Sequence, residues 1–330
     1  MSRLLVLACF PIVAFAAPRE LTSTPVALPG GPGRVAMDYL AIDGATGQLW
    51  VPAGNTGNVD VLELSSLKVT AIGGFPTAAR GERTVGPSSV ALGAGVAYVG
   101  NRADSQVCAV AVKTLKKGGC LTLASSPDGV AYVAATKELW VTTPRDGSLT
   151  IVEVSSPLAP RAKEVVKVGG QPEGYAVDVA QGRFFTNLED GDATLVYDVK
   201  TRKQLARYSP GCGKEGPRGL AYDDAKGLLL VACTDKVVAL DSKGAVVGQL
   251  ETGGGVDNID FVPGLRRLFV AAGKPGTLTV ADVALDGKLS VLGTATTALG
   301  ARVVVADAEG TGYVADSAGG RILVVRSGPR

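Results

Sequence analysis

This sequence predicts an all-β fold, a seven-bladed β-propeller with four-stranded antiparallel blades, and three observations carry the prediction. One short pattern returns seven times, its spacing is that of a blade, and helix-period patterns of useful length are absent. The pattern is a Gly-containing turn, a large apolar or aromatic residue followed by a β-branched one, and then a polar loop. It centres on Trp50, Tyr98, Trp140, Phe185, Leu230, Phe269 and Tyr313. The spacings of 48, 42, 45, 45, 39 and 44 residues average about 44. A period in the low forties with four short strands per unit marks a propeller blade. One domain over residues 17–330 follows, preceded by an export signal at 1–16.

The signal is read from Arg3 as a positive n-region, an apolar run over residues 4–15, and Ala14-Phe15-Ala16 as the cleavage signature. That run is too short to span a bilayer. A competing lipoprotein box, Val6-Leu7-Ala8-Cys9, leaves only a few apolar residues before the cysteine. No other stretch reaches transmembrane length, so a periplasmic or secreted protein without a membrane span is expected. Within the repeats, the fourth shows the strand grammar: an innermost strand at 175–179, a turn at 180–182, and further strands at 183–186, 194–198 and 204–208. The last repeat ends after its third strand, at 321–326. Residues 23–28 supply a fourth, which closes the ring and removes an exposed edge.

Four cysteines follow the signal: Cys108, Cys120, Cys212 and Cys233. An even number without a Cys-x-x-Cys pair suits a disulfide framework outside the cytosol. Cys108 and Cys120 flank a turn near Thr114 and face each other on adjacent strands. Cys212 lies in the loop leading into the fifth blade and Cys233 at the end of that blade's second strand, on the same face. Pairings of 108 with 120 and 212 with 233 are therefore expected, the alternative being free buried thiols.

The stretches Gly170-Gln171-Pro172-Glu173-Gly174 with Ala176-Val177-Asp178, Asn187-Leu188-Glu189-Asp190, Gly216-Pro217-Arg218-Gly219-Leu220-Ala221 and Gly253-Gly254-Gly255-Val256-Asp257 resemble those of exported bacterial YVTN-repeat (YncE-like) propellers. More distantly, the chain is similar to gluconolactonase-type and NHL propellers. The repeat tetrapeptide itself is degenerate, surviving in forms such as Ala97-Tyr98-Val99-Gly100-Asn101. The resemblance implies architecture more than activity.

Composition narrows the chemistry. There is no histidine, which removes Ser-His-Asp and Cys-His nucleophile systems and His-ligated zinc, copper, iron and haem. A hydrophobic fraction of 46% excludes general disorder. The formal charge of +2, with scattered basic residues and only 5% aromatics, argues against a nucleic-acid partner.

Propeller topology gathers one residue per repeat around a central funnel: Arg34, Ser88, Asp128, Glu173, Arg218, Asp257 and Arg302. The loops between second and third strands add Asn55, Asn101, Arg102, Asp146, Asn187, Glu189 and Asp235. Arg218 and Arg302 would grip a carboxylate or phosphate, and Glu173 and Asp257 would receive hydroxyls or a cation. Alternatively, these charges neutralise one another. Glu173, Asn187 and Asp257 could supply oxygen ligands for Ca²⁺ or Mg²⁺. Gluconolactonase-type enzymes use a Glu, Asn and Asp set, which does not match here position by position. The longer loop at 73–87, with Arg80 and Arg83, would be a lid over the funnel or a solvated insertion.

The expected function is an exported monomer that binds a small polar or anionic ligand, or a partner protein, through the charged funnel. A divalent-metal-dependent, lactonase-like hydrolase and a scaffold acting through blade edges are the alternatives. Ser65-Ser66-Leu67-Lys68 lies away from the funnel. The Asp-x-x-x-Gly spacings from Asp43, Asp178 and Asp223 are those of turns.

Overall fold

The computed structural model describes residues 18–30 and 33–328, so the signal assigned to residues 1–16 lies outside the described residues. The fold is a seven-bladed β-propeller. Its sheets occupy residues 41–72, 87–122, 130–167, 172–208, 220–251, 256–296 and 304–326, with consecutive strands antiparallel. No helix among the described residues is long and apolar enough to cross a membrane.

The fourth blade follows the expected grammar, with strands Pro172–Asp178, Arg183–Leu188, Ala193–Asp198 and Gln204–Tyr208. Its innermost strand starts three residues early because a bulge between Pro172 and Tyr175 carries the ladder on to Leu188. The Asp-Gly spacings are turns, as expected. The Asp43 carboxylate accepts from the backbone N–H groups of Ala45 and Thr46, and Asp178 from that of Gln181. Gly47, Gly182 and Gly227 each sit near φ 65°, where a Cβ would be strained.

Ring closure also follows the sequence. Ser23–Ala27 pairs antiparallel with Arg321–Arg326 as the fourth strand of blade seven, Val26 opposite Ile322. The residues just before it are paired as well. Arg19–Leu21 pairs in parallel with the outer strand of blade six, Leu289–Thr296. Leu21 packs there against the cluster shared by blades six and seven. The N-terminal segment is thus a strap across two neighbouring blades.

The repeat aromatics hold blade to blade. Trp140 of blade three is fully buried, with its ring centroid 4.7 Å from that of Phe184 in blade four. Phe185 in turn lies 5.1 Å from Tyr222 of blade five. Burying side chains of this size stabilises by about 2–3 kcal/mol each, so every blade leans on its neighbour.

Both expected disulfides are formed. Cys108 and Cys120 are directly opposed in the ladder, and Cys212 joins Cys233. Each closes a short loop, so Cys108→Ser/Cys120→Ser should lower unfolding free energy by about 2 kcal/mol. Urea denaturation with and without reductant checks this, and a reductant-insensitive wild type would contradict it.

Candidate functional site

The residue that each blade sends to the funnel is fixed by register. In every blade it lies three positions before the innermost-strand residue that pairs with the repeat's central residue. Ala131 pairs with Trp140, Ala176 with Phe185, Ala221 with Leu230 and Asp260 with Phe269, which selects Asp128, Glu173, Arg218 and Asp257. Ala91 opposite Tyr98 and Val305 opposite Tyr313 select Ser88 and Arg302. In blade one Ala41 pairs with Trp50, and the same count gives Asp38. Arg34, the residue expected from sequence, lies four positions upstream on the exposed surface, where its carbonyl accepts from the Asn55 amide. The ring therefore carries four carboxylates and two guanidinium groups.

The innermost strands approach one another closely. A Cβ on Gly174 would stand 2.3 Å from the Arg218 carbonyl oxygen, and one on Gly219 2.5 Å from that of Asp257. Backbone bonds cross between blades here, Gly219 N–H to Asp257 O and Tyr39 N–H to Ser88 O, each at 3.0 Å. Two tyrosines fill the axis below the ring. Tyr39 of blade one stacks on Tyr175 of blade four with centroids 5.7 Å apart. The Tyr39 hydroxyl donates to Asp128 at 3.2 Å and that of Tyr175 to the Val130 carbonyl at 2.5 Å. Both tyrosines line a cavity of about 350 Å³, and a second cavity of about 650 Å³ is bordered by Asp128 and Glu173 of the ring.

Most charges at the funnel floor are matched. Arg102 donates to Asp38 at 2.7 Å and to Asp128. Arg302 pairs with Asp257 at 3.0 Å, and Arg218 with Glu189. Burial works against the Arg102 charge, but Asp128 and Asp38 outweigh it and hold the group protonated. Burial pushes the Asp257 carboxyl up to about 6, with Asp38 adding to the effect and Arg302 countering it. Glu173 differs. Among the described residues it has no hydrogen bond or ion pair, and burial together with Asp128, Asp257, Asp38 and Glu189 pushes it up to about 10.

The loop residues expected in a second tier divide by role. Asn55, Asn101 and Asn187 lock backbone. The Asn55 side chain bridges Ala36 N–H and Arg34 O at 2.7 Å each, and the Asn101 amide donates to Pro76 O at 3.1 Å. Asn187 donates to Arg218 O at 2.6 Å and Gly219 O at 3.2 Å, and its amide oxygen accepts from Thr194. Asp146 is held by Ser148 and Lys167, and Asp235 is exposed.

The long loop forms a hairpin, Ala78–Arg80 with Arg83–Val85, turning at Gly81. Arg80 and Arg83 line the funnel cavity with Arg102, Arg145, Asp128, Glu173 and Glu189. Arg80, Arg83 and Arg145 are exposed and, among the described residues, have no ion pair. The arginines expected to grip an anion, Arg218 and Arg302, instead pair with carboxylates, and those free to do so stand at the rim.

The proposed Ca²⁺ or Mg²⁺ ligand set does not fit its positions. The Asn187 oxygen is taken by Thr194, Asp257 is paired with Arg302, and only Glu173 is open. No group of three or more His, Cys, Asp or Glu side chains that could hold a metal occurs among the described residues.

No protein-family model matches the chain, and no curated protein matches it. Solved structures match over nearly the whole length. A chain in the crystal structure of the mitotic checkpoint complex is 14% identical with a TM-score of 0.75, covering 98% of both chains. The RRP9 WD40 repeats give 9% identity and a TM-score of 0.73, covering 92% of this chain and 97% of that one. A chain of Kuenenia stuttgartiensis hydrazine synthase gives 13% and 0.71, covering 91% and 98%. At these identities the likeness is one of fold, and propellers carry many functions.

Proposed function

We propose that the protein is a non-catalytic, exported binding module that captures a small anionic ligand in the funnel on the face carrying the hairpin. One observation carries this reading: three arginines without an ion pair among the described residues, Arg80, Arg83 and Arg145, border a cavity of about 650 Å³ whose one other arginine, Arg102, is already spent on Asp38 and Asp128. Guanidinium forks match carboxylate and phosphate oxygens bidentately, and a concave wall lowers the local dielectric and strengthens the contact. A volume of this size suits a small ligand. The residues resembling exported YVTN-repeat propellers, the leader-like first 16 residues and the two disulfides support export.

The hydrolase alternative has little support, because the oxygen donors it needs are engaged elsewhere. Titration with inorganic phosphate and with di- and tricarboxylates tests the binding reading. Arg80→Ala/Arg83→Ala should weaken the best of them about tenfold, equivalent to about 1.4 kcal/mol. Wild-type affinity should fall as salt rises, because the rim charges are exposed. Equal binding by the wild type and the double variant would refute it.

A further inference from the structure

Charge pairing in the funnel leaves a remainder of both signs. Arg102 serves Asp38 and Asp128, Arg218 serves Glu189, and Arg302 serves Asp257. On the walls of the same cavity this leaves Arg80, Arg83 and Arg145 at the rim and Glu173 at the ring below. Glu173 belongs to the innermost strand of blade four, two residues before Tyr175, and burial raises its carboxyl most, with Asp128, Asp257, Asp38 and Glu189 adding to the effect. Each of those four acids already has an arginine partner, so among the described residues Glu173 is the member of the group left without a counter-charge.

We infer that the funnel's ligand is a small zwitterion, with its anionic group held by the rim arginines and an ammonium group seated on Glu173 at the floor. The inference rests on the proposed anion-binding function and specifies the ligand's other end. A carboxylate without a partner, in a ring whose other carboxylates are already paired and open to a cavity, is complementary to a cation delivered through that cavity. The alternative occupant of the floor, a neutral hydrogen-bond acceptor, would meet Glu173 in its protonated form, since burial and its acidic neighbours hold its proton well above the usual carboxylate range. The two differ in proton balance. An ammonium group arriving at neutral pH displaces the Glu173 proton to solvent, whereas an acceptor leaves it in place.

The test is calorimetric titration of the full-length mature protein with α,ω-amino carboxylates of increasing chain length and with their N-acetylated counterparts, at pH 8 in buffers of different ionisation enthalpy. At the best chain length, the free amine should bind at least tenfold more tightly than its acetylated form and release about one proton. In Glu173→Gln that gap should close and the proton release disappear. In Arg83→Ala both forms should weaken by the same factor. Acetylated ligands that bind as well as free amines, or binding without proton release, would overturn the zwitterion while leaving the anion site standing. No binding by any of these compounds, together with no response to phosphate, would remove both.

Discussion

Replacing Asp60 by Asn will make the propeller more stable at pH 8 and leave it nearly unchanged at pH 4. Asp60 lies in the third strand of blade one, Asn58–Glu63, opposite Val51 and Ala71, fully buried and with neither carboxylate oxygen bonded. Burial alone pushes its carboxyl up to about 7. A carboxyl raised in the folded state supports stability fully only below its unfolded value near 3.8, and that support is lost as pH climbs through about 7. The wild type should therefore lose stability relative to Asp60→Asn between about pH 4 and pH 8, approaching 4 kcal/mol from a shift of this size. Urea denaturation of both proteins across that range measures the difference. A gap independent of pH would show that Asp60 is not charged at the expense of the fold.

Trp140→Ala should cost about 3–5 kcal/mol, because the cavity it leaves lies where two blades meet and neither can collapse into it. Its ring touches Phe184 and Tyr197 of blade four, and the Arg202 guanidinium lies 5.6 Å from its centre. Arg202 also holds the buried Glu138 at 2.6 Å, so the loss would spread to an ion pair between the blades. Trp140→Phe separates packing from polarity. The indole N–H has no partner, so Phe removes an unsatisfied donor while keeping a ring, and should cost only about 1 kcal/mol. A Phe variant as unstable as Ala would mean that the indole nitrogen matters in a way the packing does not explain.

The blade count, the closing strand and both disulfides were legible in the sequence because each depends on spacing along one chain. Period, alternation and turn residues report spacing directly. The funnel was read less well, and blade one explains why. In blades three, four and five the inward residue sits between a proline and a glycine, as in Pro127-Asp128-Gly129, Pro172-Glu173-Gly174 and Pro217-Arg218-Gly219. Blade one has Met37-Asp38-Tyr39 there, while Pro32-Gly33-Arg34 upstream imitates the signal. Counting back from the partner of Trp50 would have found Asp38. Which arginines stay free was not legible, since it depends on side chains from different blades meeting across the axis. The parallel strap at Arg19–Leu21 gave no signal either, because three residues are too few to show a period.

That strap also governs the order of events in folding. Ser23–Ala27 leaves the ribosome before any blade exists, yet its partner, Arg321–Arg326, is almost the last segment made. Blade seven is the unit that must wait for both ends, and such long-range pairings are slow to form. Until they meet, the outer edge of Arg321–Arg326 stays open to any other extended chain. A bulky group fixed to the N-terminus would be carried into the seam between blades six and seven, where Arg267 of blade six also donates to Ser327 and the Gly328 carbonyl, and so would delay the slowest step.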